Sequence, residues 1–536
     1  MRGSRQVAVA TVSAAVLGVV FLALPRMGSD LSAQVARADF FAAHGPALVD
    51  LRWYGGIHPL GYSLVSPPLM ATLGVRLTGV LALVASAAAF AALLVRTGVP
   101  RPLLGSLVGV LTIAGNLVSG RVTYALGVAF GLAALLALTL PPGPTRRWVR
   151  PVLVMAGALL ASATSPVAGL FVGLAGAALL LTRRYADGLL LGVPAALPLA
   201  VTGLLFGEGG WMNISRSDTL RAVLTSLLVA ALVAHRPVRV GALLSAAGVL
   251  AAALVHTPVG LNATRLVVMF ALPLLAAAAR APRRLTDRLT ARGRGPERAG
   301  ATGRGRVAGW VVLGALLAVV CSWQPPVVAA DLRSVGGPTA DRSFFTPLAA
   351  ELARRGLTGR VEVPPTRNYW EAAQLGEVPL ARGWLRQADI ARNPLFFTTV
   401  PGATGTGVPL TADSYRAWLD ENAVQYVAVP DVPLSWVGRA EAELVEAGLP
   451  QLTEVWSDDH WRLWAVADPT PLVGAPGELV RQDAASLTFR APGAGPVPVR
   501  VRHTRWLTAS GGATVGADGD WTTVTVPAAG TYTLGG

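Results

Sequence analysis

Long apolar stretches recur between short arginine-bearing loops, and this limits the chain more than any other feature. Eleven of them, 7–25, 70–95, 103–119, 122–140, 151–164, 166–182, 188–206, 219–234, 238–256, 264–280 and 307–323, are candidates to cross a bilayer. A helix needs roughly 20 residues to cross the hydrocarbon core. Lipid offers the backbone no partners, so only helices and closed barrels can cross it. These stretches lack the alternation of a barrel strand, so helices are expected. Segments 151–164, 166–182 and 219–234 are short, and turns such as Ser165-Pro166 blur their ends. The first stretch could also be a signal peptide's apolar core. No small-x-small cleavage site closely follows Pro25 and Arg26, so a retained helix is expected.

The loops give an orientation. With Arg2 and Arg5 inside, the inner loops hold Arg96 and Arg101, then Arg146, Arg147 and Arg150, then Arg183 and Arg184, then Arg236 and Arg239. The last inner loop is an arginine run from Arg280 to Arg306. All five strongly basic loops fall on one side, as cytoplasmic loops do. An odd number of spans then puts everything after Gln324 outside. The expected localisation is the plasma membrane, multi-pass, with a cytoplasmic N-terminus and an extracytoplasmic C-terminal domain.

Charge marks the main boundary. Residues 1–324 carry 28 basic and 8 acidic residues, and the rest carry 17 and 22. The two parts are therefore +20 and −5, within a formal total of +15. All the basic residues are arginine, which reads as codon bias from a GC-rich, actinobacterial genome. The arginines sit in short loops where topology explains them, so no nucleic-acid partner is expected. The bilayer itself is the first partner. Lone Cys321 can form no internal disulfide.

The expected fold class is a polytopic α-helical membrane protein of about 11 transmembrane helices with a C-terminal extracytoplasmic α/β and small β-sandwich region. The domains are 1–324, with a large first outer loop at 26–68, then 325–470, then 471–536. In the α/β part, Phe344–Arg355, Thr411–Asn422 and Arg439–Ala447 read as helices. Arg360–Val363 and Gln425–Val429 read as strands. Leu452–Trp456 and Trp461–Val466 alternate around Ser457-Asp458-Asp459-His460, a hairpin pattern. Beyond about 471, short strands at Ser486–Phe489, Pro498–His503, Ala513–Val515, Trp521–Val526 and Tyr532–Leu534 suit a sandwich.

Without lysine there is neither a Walker A motif nor a Schiff base, and there is no HExxH and no cysteine cluster. No metal site is expected from these residues, and no motif calls for a cofactor. Five of the eight carboxylates of the membrane part, Asp30, Asp39, Asp50, Glu208 and Asp218, lie in or beside outer loops. They mark either a site or simply loops that tolerate acids.

The first outer loop is the richest segment. Ser29 or Asp30 can cap a helix on which Asp30, Gln34, Arg37 and Phe41 share a face. Such a helix would lie along the membrane surface. An Asp there can accept a proton from a sugar hydroxyl, or it can be an ordinary cap. Further on stands Trp53-Tyr54-Gly55-Gly56-Ile57-His58-Pro59, with Tyr62 close behind. These aromatics suit the interfacial belt or stacking on sugar rings. Arg76 sits a turn or two inside the second span, and Arg121 and Arg265 flank outer ends of others. They either bind a lipid phosphate or snorkel to headgroups.

Together these features resemble the GT-C class of membrane glycosyltransferases. The architecture matches over the whole chain. At residue level the likeness rests on Asp30, the Trp53–Pro59 stretch, Gly120-Arg121-Val122-Thr123-Tyr124-Ala125-Leu126-Gly127 and Asn262-Ala263-Thr264-Arg265-Leu266. Asn368-Tyr369-Trp370-Glu371-Ala372 and Gly383-Trp384-Leu385-Arg386-Gln387 add to it. Many members carry DD, DE or DxD in the first loop, whereas here Asp30 stands alone, with Asp39 nine residues on.

The resemblance implies inverting transfer of a sugar from a polyprenyl-phosphate donor to an envelope glycan acceptor. Asp30 is then the general base. Arg37, Arg76, Arg121 and Arg265 are the candidates for the donor phosphate. Gln34, Asp39, Trp53, Tyr54, His58, Asn262, Glu371 and Arg386 line the acceptor groove. A divalent cation is compatible with this class. Two rivals are a multi-pass transporter or lipid flippase, and a non-catalytic envelope scaffold. The first predicts mid-membrane polar residues and an internal repeat, and neither is visible.

Overall fold

The computed structural model describes residues 2–141, 148–280, 301–398, 400, 402–403 and 407–536. Arg146, Arg147 and the arginines from 283 to 298 lie outside the described residues. The chain divides into two compact units. One comprises Met1–Pro25, Arg76–Val201 and Ile214–Arg333, and the other Arg26–Val75, Thr202–Asn213 and Ser334–Gly536.

The first unit is helical. Among the described residues, each of the eleven expected apolar segments contains a helix, from Arg2–Ala23 to Ala301–Trp323. Among the described residues, five helices are long and apolar enough to cross a membrane: Gly3–Ala23, Val75–Arg96, Tyr185–Phe206, Arg236–Leu254 and Gly260–Ala278. Pro102–Val118, Val122–Ala137, Val149–Thr164, Pro166–Leu181 and Val307–Trp323 are shorter apolar helices. Outward-facing side chains are large and apolar, with Val12, Val19 and Leu254 all more than 60% exposed. Such a surface suits lipid as its solvent.

Helix contacts in this unit rely on small residues. A Cβ built on Gly157 would meet Ala134 Cβ at 2.9 Å and Ala134 Cα and N at 3.1 Å, so the two backbones approach closely. Arginines of the expected inner loops close helix ends. Arg101 donates from Nε to Ala276 O (2.8 Å) and from Nη2 to Ala279 O (2.5 Å), satisfying terminal carbonyls of Arg265–Ala278. Arg239 Nε reaches Ala230 O at 2.9 Å. Asp187 pairs with both Arg150 and Arg184.

One boundary differs from expectation. The stretch 70–95 is broken: helix Ser66–Leu73 ends at Gly74 (φ +85°), and a new helix, Val75–Arg96, begins. A left-handed residue ends a helix whatever the surrounding hydrophobicity. Arg76 therefore sits at the very start of its helix, not a turn or two inside it.

The second unit contains a mixed sheet and a two-sheet sandwich. β1 (Arg360–Glu362), β2 (Val424–Pro430), β3 (Leu452–Ser457) and β4 (Trp461–Val466) form a sheet ordered β1-β2-β4-β3. β1 and β2 are parallel, and the other pairs are antiparallel. The β3–β4 hairpin turns at Asp458, whose Oδ1 accepts from His460 N (2.8 Å) and Trp461 N (2.7 Å). Helix Ala412–Glu421 opens with a capping box between Thr411 and Ser414. Helix Trp436–Glu446 ends before Gly448 (φ +90°).

The sandwich pairs β7 (Gly495–Arg502), β10 (Trp521–Val526) and β9 (Thr514–Asp518) in one sheet. The other holds β5 (Glu478–Gln482), β6 (Ser486–Ala491), β11 (Gly530–Gly535) and β8 (Thr508–Ala509). Inward positions alternate: Val497, Val499, Val501, Val524 and Val526 are all buried. Val49 and Leu51, from the first loop, join this core.

Candidate active site

The first loop folds as part of the second unit. Its helix, Leu31–His44, starts at Asp30, which occupies the N-cap position without a side-chain cap bond. The capping role read from the sequence is therefore corrected. Asp30 has αR backbone (φ −106°, ψ −4°), and its Oδ1 accepts instead from Ser29 Oγ at 3.3 Å. Asp30 is half-buried.

The polar face of that helix is also corrected. Gln34 is fully buried and Arg37 only 5% exposed, so the face that carries them points inward. Arg37 lies 3.6 Å over the ring of Tyr62 and within 6 Å of Trp384 and Trp53. Such cation–π contacts gain strength where water is excluded. Arg37 Nη1 donates to Ala33 O (3.3 Å), and Gln34 Nε2 donates to the Tyr62 hydroxyl (3.2 Å). Trp384 packs edge-on against Tyr62 and donates from Nε1 to Ser29 O (3.3 Å). Burial pushes the Arg37 guanidinium down, while Tyr62, Asp50 and Asp30 draw it up. A half-exposed carboxylate thus stands beside a cation-and-aromatic cluster built from the first loop and Trp384.

Trp53 and Tyr54 are core residues, neither belt aromatics nor groove walls. Trp53 is fully buried, and a Cβ on Gly383 would meet its ring. Tyr54 donates its hydroxyl to Gly383 O at 2.5 Å. Tyr54, Gly55 and Gly56 all have positive φ. This turn lets Ile57 pair with Asp50, with N–O distances of 2.8 and 2.9 Å. Two of the three positions are glycine, the residue that bears such a backbone without strain. Asp50 and Arg52 form a buried pair at 2.7 Å, so Asp50 is not a surface acid.

His58 is half-buried and ties several segments together. Its Nδ1 lies 3.1 Å from Glu208 Oε1, and its Nε2 lies 2.9 Å from Thr504 Oγ1. Arg392 holds the other Glu208 oxygen at 2.6 Å. Burial alone would raise the Glu208 carboxyl, but the bonds from His58 and the charge of Arg392 outweigh it and hold it low. Nearby, Phe206 stacks on Trp506 at 5.0 Å, and Trp506 Nε1 donates to Leu205 O.

Asp39 lies at the surface of its helix. Glu371 is buried, accepting from Thr366 Oγ1 (2.5 Å) and Thr366 N (3.3 Å), and burial raises its carboxyl to about 7. Arg386 is half-buried and donates to the hydroxyl of Tyr369, itself at φ +57°. Among the described residues, no group of three or more His, Cys, Asp or Glu is arranged to hold a metal ion.

The remaining expected residues lie in the helical unit. Arg76 donates to Phe21 O and to Leu24 O (2.7 Å), with its guanidinium 4.9 Å from the Phe21 ring. Arg265 lies 5.5 Å over the ring of Tyr124, and Arg121 is also within electrostatic reach of that phenol. Tyr124 is 2% exposed, and its hydroxyl has no hydrogen-bond partner among the described residues. Asn262 sits three residues before Arg265 in the short helix Gly260–Thr264.

Sequence reasoning missed several residues that complete these clusters. Trp384 carries no role of its own in its sequence motif, and Tyr62 shows in the sequence only as an interfacial or sugar-stacking aromatic. Glu208 was noted only as an outer acid. Arg392 and Thr504 carried no local signal. Their partners are 184 and 446 residues away in the chain.

No family model matches the chain, and no curated protein matches it by sequence. Solved structures do. Mycobacterial arabinofuranosyltransferase AftD matches at 17% identity and TM-score 0.45, covering 92% of this chain and 41% of AftD. A second AftD structure matches at 15% and 0.48, covering 99% and 60%. ArnT from Cupriavidus metallidurans, in the apo state, matches at 14% and 0.42, covering 87% and 98%. The same enzyme bound to undecaprenyl phosphate matches at 15% and 0.39. These structural neighbours are GT-C glycosyltransferases. The chain spans between about two fifths and three fifths of the AftD chains' length. All four TM-scores are below 0.5, so any assignment of chemistry rests on this chain's own residues.

Proposed function

We propose that this membrane protein is a GT-C-like glycosyltransferase that moves a sugar from a polyprenyl-phosphate donor to an extracytoplasmic envelope glycan, with inversion. One observation carries the reading: Asp30 is a half-exposed carboxylate beside the Arg37–Tyr62–Trp384 cluster. A carboxylate so placed can take the proton from an acceptor hydroxyl as it attacks the sugar. The neighbouring aromatic rings suit the apolar face of a sugar.

In the helical unit, Arg121 and Arg265 around Tyr124 suit a lipid phosphate, since arginine presents a fixed fork of donors. Arg37 is better suited to positioning. Its guanidinium is buried against Tyr62 and lies within electrostatic reach of Asp30. The test is sugar transfer by membranes carrying Asp30→Asn. The expected result is a loss of about 100-fold or more, the scale of a positioned general base. Unchanged transfer, with normal protein levels, removes Asp30 from the chemistry.

A further inference from the structure

The second unit buries a charge cluster that the proposed reaction does not use. At its centre is Arg382, 3% exposed. Its Nε donates to Glu362 Oε1 at 2.8 Å. Its Nη2 contacts Glu362 Oε1 at 2.7 Å and also bonds Glu441 Oε2. Both glutamates are fully buried. Asp389, 1% exposed, faces the same guanidinium and accepts from Asn393 Nδ2 at 2.8 Å. Tyr415 donates to Glu441 Oε1 at 3.0 Å. The guanidinium lies 3.7 Å over the ring of Phe396, which removes water from one face.

These charges do not balance. Three carboxylates surround one fully buried arginine, and two of them put an oxygen on the same nitrogen. Arg386, half-buried, is the next cation. Like charges this close cannot all ionise out of water; one takes a proton. The hydrogen-bond pattern is incomplete in the same place. Glu362 Oε2, Asp389 Oδ2 and Arg382 Nη1 are buried without a partner among the described residues. Two acceptors, both carboxylate oxygens, therefore meet only one unpaired donor at this centre.

We propose that the folded protein holds a proton at neutral pH, shared by Glu362, Glu441 and Asp389 around Arg382, and that this proton locks the surrounding elements together. Glu362 comes from β1, Asp389 from helix Arg386–Arg392, Glu441 from helix Trp436–Glu446 and Tyr415 from helix Ala412–Glu421. Tyr54 of the first loop also faces Asp389 and Arg382. Burial raises the Glu362, Glu441 and Asp389 carboxyls, in line with the geometry. The unfolded chain releases these protons in the ordinary carboxylate range, while the fold keeps one. Stability from the proton is therefore greatest in acid and falls as pH rises. Deprotonation would loosen the helix that presents Arg386 and Arg392. This inference does not depend on the glycosyltransferase reading.

The test uses the full chain in lipid nanodiscs, followed by infrared spectroscopy at neutral pH with ¹³C-labelled glutamate or aspartate. The expected result is a carbonyl band of a buried carboxylic acid that moves with one of the labels. It should weaken in Glu362→Gln or Glu441→Gln but persist in Glu371→Gln, because the Glu371 carboxylate is bonded to Thr366 and not to Arg382. Thermal melts in the Glu371→Gln background should fall by several degrees as pH rises, and adding Glu362→Gln should flatten that slope. Absence of an acid band from this cluster in the wild-type chain overturns the proposal, even if the variants fail to fold. So does an unchanged pH slope in a folded Glu362→Gln protein.

Discussion

The two units bury different things. Among the described residues, the twelve bulkiest fully buried side chains, from Trp53 and Trp370 to Met70, all belong to the second unit. The helical unit instead packs glycine and alanine against one another, as at Gly157 and Ala134, and turns its large aliphatic residues outward. Lipid is as apolar as leucine, so burying leucine between spans gains little there, and close backbone approach gains more. Where water is the solvent, each large side chain withdrawn stabilises the fold by kilocalories. Charges divide the same way. In the helical unit, arginines at helix ends meet carbonyls and Asp187. In the second unit, Arg52, Arg360 and Arg382 are inside the core.

The largest effect should come from cutting into the aromatic core. Trp53→Ala removes a fully buried indole that packs on Gly383 and should cost about 3–5 kcal/mol. Limited proteolysis of the second unit would read this loss, and an unaffected protein would break the contrast between the units. Next comes a buried charge outside the arginine cluster. Glu371, raised from 4.5 to about 7, is neutral in the fold at a pH where the unfolded chain is ionised. Stability should therefore fall as pH rises from 4.5 towards 7, by roughly 3 kcal/mol at about 1.4 kcal/mol per unit. Glu371→Gln, compared with wild type across that range in thermal melts, should remove this part of the slope. Smallest is Gly157→Leu in the helical unit. A side chain there meets Ala134 backbone, and overpacking should cost about 1–3 kcal/mol, read as a lower melting temperature in detergent. If it exceeded the loss from Trp53→Ala, the ranking of the two packing modes would be reversed.

Much of the local structure was legible in the sequence. The hairpin at Asp458, the cap at Thr411 and the stop at Gly448 follow from short-range hydrogen bonding and backbone sterics. The apolar segments became helices because, without the alternation of a barrel strand, a helix is what satisfies their backbone in lipid. The first loop was legible only in part. Its adjacent glycines mark the turn, where Gly55 and Gly56 take positive φ. Its aromatics were read as surface groups because nothing near Trp53 or Tyr54 in sequence reveals Gly383, 329 residues from Tyr54. Shorter separations, 20 residues from Arg382 to Glu362 and 59 to Glu441, were enough to hide that cluster, whose members look like surface charges until the elements that carry them close together.

By itself, then, the sequence determined that this chain is built of apolar helices joined by arginine loops, with an acid-richer α/β and β part at its C-terminal end. Hydrophobic length, charge distribution and turn chemistry are properties of neighbouring residues. Tertiary structure alone decided that the loop 26–75 folds with the C-terminal part and that Arg37 faces inward beneath Tyr62. It also brought three carboxylates around one arginine. Burial and charge pairing depend on what approaches from far along the chain, and they decide which polar residues remain free to do chemistry.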